Sequence, residues 1–173
     1  MNKIFFEKYQ GNGNDFILID SRKNDTYRSF LSEHIFDVKR ICNRQFGIGG
    51  DGVIFITEPE FDNYAKMNIY NSDGSEAQMC GNGIRCLVEY LHTNDSQINK
   101  DIKYKIETKA GIKVARYLNK EITVKMGLPI LNSKIIPTKI TSKNNSVPSH
   151  QFIEKNFCNE GFAVGVGNPH LIF

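Results

Sequence analysis

The sequence predicts an α+β fold in which a curved, mostly antiparallel sheet wraps one central helix. Three observations carry this expectation. Ile84, Leu87, Val88 and Leu91 recur at i, i+3, i+4 and i+7, the apolar stripe of an amphipathic helix. Ile102, Tyr104, Ile106 and Thr108 alternate with Lys103, Lys105, Glu107 and Lys109, the period of two that marks a half-buried strand. Two further strands, 112–117 and 122–126, follow after the turns Ala110-Gly111 and Asn119-Lys120. Together they make a meander with one apolar face, the natural partner of the helix stripe.

The elements before the helix read in order. Residues 4–9 and 16–20 are expected as strands joined by a polar glycine loop, Gln10-Gly-Asn-Gly-Asn-Asp15. Residues 30–44 place Phe30/Leu31, Ile35, Val38 and Ile41/Cys42 on one stripe and predict a single amphipathic helix. Residues 53–57 read as a short buried strand. Residues 64–70 alternate, with Ala65, Met67 and Ile69 on one face and Lys66 and Asn68 on the other. The turn Asn71-Ser-Asp-Gly74 then leads to the central helix, expected over 82–92.

Gly127-Leu-Pro129 breaks the strand pattern and marks a boundary, giving a first domain over 1–127 and the start of a second over 128–173. There, 139–149 reads as a polar loop, 162–166 as a strand, 167–169 as a turn and 170–173 as the start of another strand. The 46 residues after Gly127 are few for an independent core, and the chain stops in a strand of buried character. The expectation is the front part of a longer protein, its second domain incomplete.

Composition narrows the class. The 173 residues are 40% hydrophobic and 24% charged, which fits a folded globular chain and excludes a disordered one. The net charge of +3 is spread out and not gathered into a basic stripe with aromatics, so a nucleic-acid partner is not expected. No run reaches the roughly 20 apolar residues of a membrane span, and the N-terminal segment breaks too early for a secretory signal. A cytoplasmic protein is expected, with no membrane partner. Cys42, Cys80, Cys86 and Cys158 are spaced by 38, 6 and 72 residues, and His34, His92, His150 and His170 are scattered, so neither a metal site nor a disulfide framework is indicated.

The most informative stretch is Met79-Cys-Gly-Asn-Gly-Ile-Arg-Cys86. It sets the Cys80 thiol where a glycine-rich turn becomes a helix. Helix N-termini favour negative charge, so such a position lowers the pKa of a thiol and attracts anions. A lone cysteine near a helix start is ordinarily a small core residue. Gly81 and Gly83, however, each weaken a helix start by up to about 1 kcal/mol relative to alanine, which indicates a close approach of the backbone to something. Cys86, nearly two turns further on, reads as core.

Gly47-Ile-Gly-Gly-Asp-Gly52 matches the G-x-G-x-x-G fingerprint in the wrong context. It follows a helix and opens a strand, the reverse of a dinucleotide site, and nucleotide binding is rejected on that ground. Asn14, Asn71, Asn82 and Asn168 all stand in glycine-rich or turn contexts. Each alone is explained by turn chemistry. Four of them beside a helix-capping thiol also provide neutral hydrogen bonds suited to ammonium and carboxylate groups.

These pieces together resemble diaminopimelate epimerase: Gly11-Asn-Gly-Asn-Asp-Phe16, Phe46-Gly-Ile-Gly49, Asn71-Ser-Asp-Gly-Ser-Glu76, the Cys80 segment and Val166-Gly-Asn-Pro-His170, in that order. The resemblance implies two similar domains, each a barrel-like sheet around a central helix. It implies an isomerase of lysine and peptidoglycan-precursor biosynthesis that interconverts LL- and meso-diaminopimelate without pyridoxal phosphate or any other cofactor. It makes Cys80 one of two catalytic cysteines and Asn14, Asn71 and Asn168 substrate contacts. Gly81-Asn82 becomes the anion-binding turn, and His170 a histidine that tunes the thiols. The small-molecule substrate is then the main partner, and a homodimer stays open.

Two departures stand out. Many members carry Gln where this chain has Gly52, and the family's second cysteine and Glu-Arg pair fall in a half not present in these residues. A residue 1–173 fragment is therefore expected to be inactive alone. Proline racemases share the architecture but typically read Cys-Gly-His-Gly, against which Asn82 speaks. A non-catalytic amino-acid-binding half-domain is the alternative of a different class.

Overall fold

The computed structural model describes residues 3–33, 37–95, 102–141, 147–154 and 157–173. The chain divides into two compact units, Met1–Lys125 and Met126–Phe173. In the first, the elements run β1 (Glu7–Gly11), β2 (Asn14–Asp20), α1 (Thr26–Glu33), α2 (Val38–Cys42), β3 (Gly52–Thr57), β4 (Ala65–Asn71), β5 (Glu76–Ala77), α3 (Gly81–Asn94), β6 (Ile102–Glu107), β7 (Lys113–Leu118) and β8 (Glu121–Lys125). The sheet order is β1-β2-β3-β4-β6-β7-β8, with β5 paired to β4. Pairs β2·β3 and β4·β6 are parallel and the others antiparallel. Helix α3 packs against both edge strands, β1 and β8, as well as β2, β3, β4 and β7. The sheet therefore curls around it.

Helix α3 forms where the stripe placed it, and Ile84, Leu87, Val88 and Leu91 are fully buried. Burying four such side chains contributes about 1.5–3 kcal/mol each. Across the sheet, α1 and α2 cover the opposite face of the central strands. Ile17, Ile19, Val53, Phe55 and Tyr70 pack there against Tyr27, Phe30 and Ile41. The Phe30 ring stacks on Phe55 at 4.9 Å and meets Tyr70 edge-on at 5.1 Å. Covered on both faces, residues 16–19 and 52–56 are continuously buried.

Two expectations are corrected. The single helix over 30–44 is two helices, α1 beginning earlier at Thr26 and α2 starting at Val38; Ile35 of the expected stripe lies outside the described residues. Asp37 has extended backbone (φ −98°, ψ 120°) and its side chain accepts the Lys39 N–H, so it caps a new helix. Apolar period alone does not reveal such a cap. The expected polar loop over 10–15 is instead a hairpin closed by two residues. Asn12 (φ 53°) and Gly13 (φ 86°) make the turn, and Gly11 pairs with Asn14 and Gln10 with Asp15. Asn14 is thus the first residue of β2.

The second unit carries β9 (Ser149–Glu154), β10 (Phe157–Val166) and β11 (Asn168–Ile172), antiparallel in the order β11-β10-β9. Strand β10 is longer than the expected 162–166, and β11 begins at Asn168 immediately after Gly167 (φ 82°). Ile130 pairs with Gly165, and Ile136 and Ala163 are buried. Residues 142–146 of the expected loop lie outside the described residues.

One ion network clamps the far end of α3. Arg22, just past β2, bonds Asp20 at 2.7 Å and both oxygens of Asp95 at 2.8 Å. Tyr90 donates to Asp20 and Tyr64 to Asp95, each at 3.1 Å. Burial pulls the Asp20 carboxyl upward, but the Arg22 contacts outweigh it and hold the carboxyl below its usual range. A carboxyl depressed in the fold stabilises it above the unfolded value of about 3.9, and that contribution is lost as pH falls through the lower folded value. The thermal midpoint is therefore expected to drop as pH falls below about 4. At pH 7, Arg22→Met is expected to cost about 2–3 kcal/mol, less than a fully buried pair because the carboxylates keep some solvent. Denaturation followed by circular dichroism across pH 3–7 checks both.

Candidate active site at the start of the central helix

Cys80 is the N-cap of α3, with extended backbone at φ −142° and ψ 119°. Its Sγ accepts the Gly83 N–H at 3.4 Å, and its carbonyl accepts the Ile84 N–H at 2.9 Å. The thiol thus fills the capping role usually held by Ser, Thr, Asp or Asn. The N–H groups of Gly81 and Asn82 have no acceptor within the helix and stand at its positive end. Cys80 is half-buried.

The other described thiols differ. Cys86 is buried on the inward side of α3, and burial pushes it up to about 11. Cys42 is buried between α2 and the sheet and is likewise raised by burial.

At Gly83 the close approach that the glycines indicated is present, and it is made to the core. A Cβ there would lie 3.0 Å from Ile54 Cδ1 and 3.4 Å from Ile69 Cδ1. The close approach it permits is the helix start settling onto β3 and β4, a matter of packing. Gly52 is tighter still. A Cβ would lie 2.5 Å from the Tyr70 carbonyl oxygen, so this backbone is closed to any side chain, glutamine included.

The structure joins some of the singled-out asparagines. Asn82 Nδ2 donates to Asn14 Oδ1 at 2.6 Å, across 68 residues of sequence. Asn14 Nδ2 in turn donates to Asp51 Oδ2 at 3.2 Å, and the Arg85 guanidinium donates to Asn82 Oδ1. Asn71, exposed at the end of β4, serves its own turn: its N–H donates to the Ser75 carbonyl at 2.8 Å and its Nδ2 to Ser75 Oγ at 3.0 Å. Asn168 and His170 lie in the second unit on β11, opposite Val166 and Val164, with His170 exposed.

Sequence reasoning missed Asp51, Arg85, Asp15 and Arg44. Arg44 grips both Asp15 oxygens at 2.5 and 3.1 Å and Asp51 at 2.9 Å, and Lys8 adds a bond to Asp15 at 2.9 Å. The Arg44 contact, with help from Lys8, holds the Asp15 carboxyl well below the usual carboxylate range despite partial burial. Asp51 sits inside the glycine motif rejected for nucleotides, and Arg85 inside the Cys80 segment. Their charges were visible, but their partners were not.

The fold is shared with solved isomerases. The chain superposes with a TM-score of 0.66 on a hydroxyproline epimerase from Agrobacterium vitis, at 12% identity, covering 96% of this chain and 49% of that one. It superposes at 0.51 on a methylitaconate-delta-isomerase, also at 12% identity, covering 97% and 52%. The more particular match is in sequence. The family model described as diaminopimelate epimerase matches residues 6–131. The chain is 45% identical over 169 residues to diaminopimelate epimerase of Prochlorococcus marinus (strain NATL2A), covering 96% of this chain and 59% of that protein. It is 40% identical over 176 residues to the protein of the same name from Methanocella arvoryzae, covering 99% and 58%. This chain belongs to the diaminopimelate epimerase family, and spans about three fifths of the length of those relatives.

Two measurements check the site. Under limiting iodoacetamide, half-buried Cys80 is expected to be modified before Cys42 and Cys86, which are buried and whose thiols burial pushes up; peptide mapping by mass spectrometry reads the order. Gly52→Ala is expected to cost about 1–3 kcal/mol through overpacking against Tyr70, read as a lowered urea midpoint with unchanged slope.

Proposed function

We propose that this chain carries one of the two proton-transfer thiols of a diaminopimelate epimerase, with Cys80 acting at the α-carbon. The observation that carries the reading is the cap of α3, where a half-buried sulfur accepts a helix N–H beside two first-turn N–H groups that have no acceptor within the helix. The α-proton of an amino acid is weakly acidic, and its removal places charge on the α-carbon and its carboxylate. Helix N–H groups aimed at that carboxylate stabilise the charge as it develops, each such donor being worth about 2.7–4 kcal/mol of barrier. Partial burial of Cys80 strengthens such interactions by reducing their exposure to water.

Inversion also needs an acid on the opposite face, since one base returns the proton to the side it left. Cys80 takes the α-proton as thiolate, and a second thiol delivers a proton from the other side. Cys42 and Cys86 are poor choices for that partner, being buried and raised. The partner group belongs, on this reading, to the part of the relatives' length that residues 1–173 do not span. Asn14, Asn71, Asn82 and Asn168 supply the contacts that hold the two ends of diaminopimelate in its LL and meso forms, and His170 tunes the thiols. No cofactor takes part, and the reaction sits in the cytoplasm as a step toward lysine and peptidoglycan precursors.

The test uses a protein of the relatives' full length in D₂O. Wild type is expected to invert diaminopimelate with deuterium entering the α-position, and Cys80→Ala to lose roughly 10²–10⁴-fold or more in kcat. Near-normal inversion by the variant, followed by chiral chromatography, would remove Cys80 from the mechanism. Residues 1–173 alone are expected to give no inversion in the same assay.

A further inference from the structure

The sequence contains two Asn-Gly pairs, Asn12-Gly13 and Asn82-Gly83. In such a pair the glycine nitrogen can attack the asparagine side-chain amide, because no Cβ shields it. The N–Cγ bond forms as the Cγ–Nδ2 bond breaks, and ammonia leaves with the glycine amide proton. Water then opens the resulting five-membered imide at either carbonyl, giving aspartate or isoaspartate. No electrons are gained or lost, and water is the co-reactant. The attack needs the glycine nitrogen to swing over its neighbour's Cγ, so the surrounding structure decides which pair reacts.

The two pairs stand in opposite settings. Asn12 (φ 53°) and Gly13 (φ 86°) form the tip of the β1–β2 hairpin, beyond the last paired residues Gly11 and Asn14. Both are exposed. A Cβ on Gly13 would meet nothing within 4 Å, so the tip has room to turn. The Asn12 side chain makes no hydrogen bond among the described residues. The Gly13 N–H donates to Gln10 Oε1 at the long distance of 3.3 Å.

Asn82 lies instead in the first turn of α3. Its Nδ2 donates to Asn14 Oδ1 at 2.6 Å, and its Oδ1 accepts from Arg85. The Gly83 N–H donates to Cys80 Sγ at 3.4 Å, and Gly83 is buried against Ile54 and Ile69. Swinging this nitrogen would unseat the start of the helix, whereas turning the hairpin tip breaks no strand pairing. Local opening is cheapest at loop tips and dearest in packed elements.

We propose that Asn12 is a site of spontaneous deamidation, converted through the Asn12–Gly13 imide to isoaspartate and aspartate, while the seating of α3 keeps Asn82 intact. The site is independent of the epimerase reading. Its new carboxylate falls on the rim of the groove that Asn12 shares with Arg85, Glu89 and Lys120. Isoaspartate also adds one carbon to the main chain in the turn that leads directly into Asn14.

In the experiment, the purified 173-residue chain is aged at mildly alkaline pH with the fold intact and, in parallel, unfolded in guanidinium chloride. Tryptic peptides carrying Asn12 and Asn82 are followed by mass spectrometry, with fragmentation to place the change and to separate isoaspartate from aspartate. In the folded chain Asn12 is expected to deamidate at least about tenfold faster than Asn82, the opening at the hairpin tip being the smaller. In the unfolded chain the two rates are expected to converge. Equal rates in the folded chain, or a faster Asn82, would overturn the proposal. So would a difference of the same size that persists after unfolding, because the fold would then not be its source. A folded chain that keeps Asn12 intact while the unfolded chain loses it would overturn the site itself.

Discussion

Burial of the apolar stripe of α3 inside the curled sheet sets where the Cys80 sulfur stands. Ile84, Leu87, Val88 and Leu91 are removed from water on a helix that touches both sheet edges and the strands between. At about 1.5–3 kcal/mol apiece, these side chains outweigh the up to about 1 kcal/mol that each of Gly81 and Gly83 removes from the first turn. The helix can therefore begin with glycines and still be fixed. Gly83 completes the seating, because a Cβ there would crowd Ile54 Cδ1 at 3.0 Å and Ile69 Cδ1 at 3.4 Å. Packing and site chemistry meet in that one turn, and the sulfur occupies the cap position because the turn is seated there.

The polar residues around the cap are held by the opposite kind of force. Their bonds are directional and join distant segments: β2 through Asn14, the connection before β3 through Asp51, and the loop after α2 through Arg44. A partly buried row of this kind is stable only when every member is satisfied, since a stranded polar group costs about 1–3 kcal/mol. At the other end of α3, the Arg22 network does the same for Asp20 and Asp95. The helix is thus gripped along its length by hydrocarbon and at both ends by charge.

Much of this was legible in the chain, and the failures have physical causes. The central helix and the meander announced themselves because a single buried face imposes one clean period, 3.6 at Ile84–Leu91 and 2 at Ile102–Thr108. The helix over 30–44 was over-read because the period runs on through Asp37, whose extended backbone and capping side chain interrupt the hydrogen bonds without changing the spacing. The loop at 10–15 was under-read because Asn12 and Gly13, both at positive φ, let the ladder continue to the turn itself. The parallel pairings of β2 with β3 and β4 with β6 depend on which strands lie side by side after a crossover, and no local pattern records that. At the site, residue types signalled Cys80 and the asparagines, but the partner of an amide 68 residues away is a tertiary fact. Asp51 was hidden for that reason, inside a glycine motif that runs into β3.

The chemistry proposed for Cys80 would bring two negative groups to the start of α3. A thiolate and a substrate carboxylate are both negative, and bringing them within reach of a common carbon costs Coulomb energy unless positive potential is supplied locally. Mobile cations would supply it at the cost of ordering them during the reaction. On the proposed reading, helix N–H groups fixed by the seating of α3 would supply it already oriented, with no reorganisation as charge develops. Arg85 contributes a full charge at the far end of the row, while the Asp51 charge is spent on Arg44 and the Asp15 N–H.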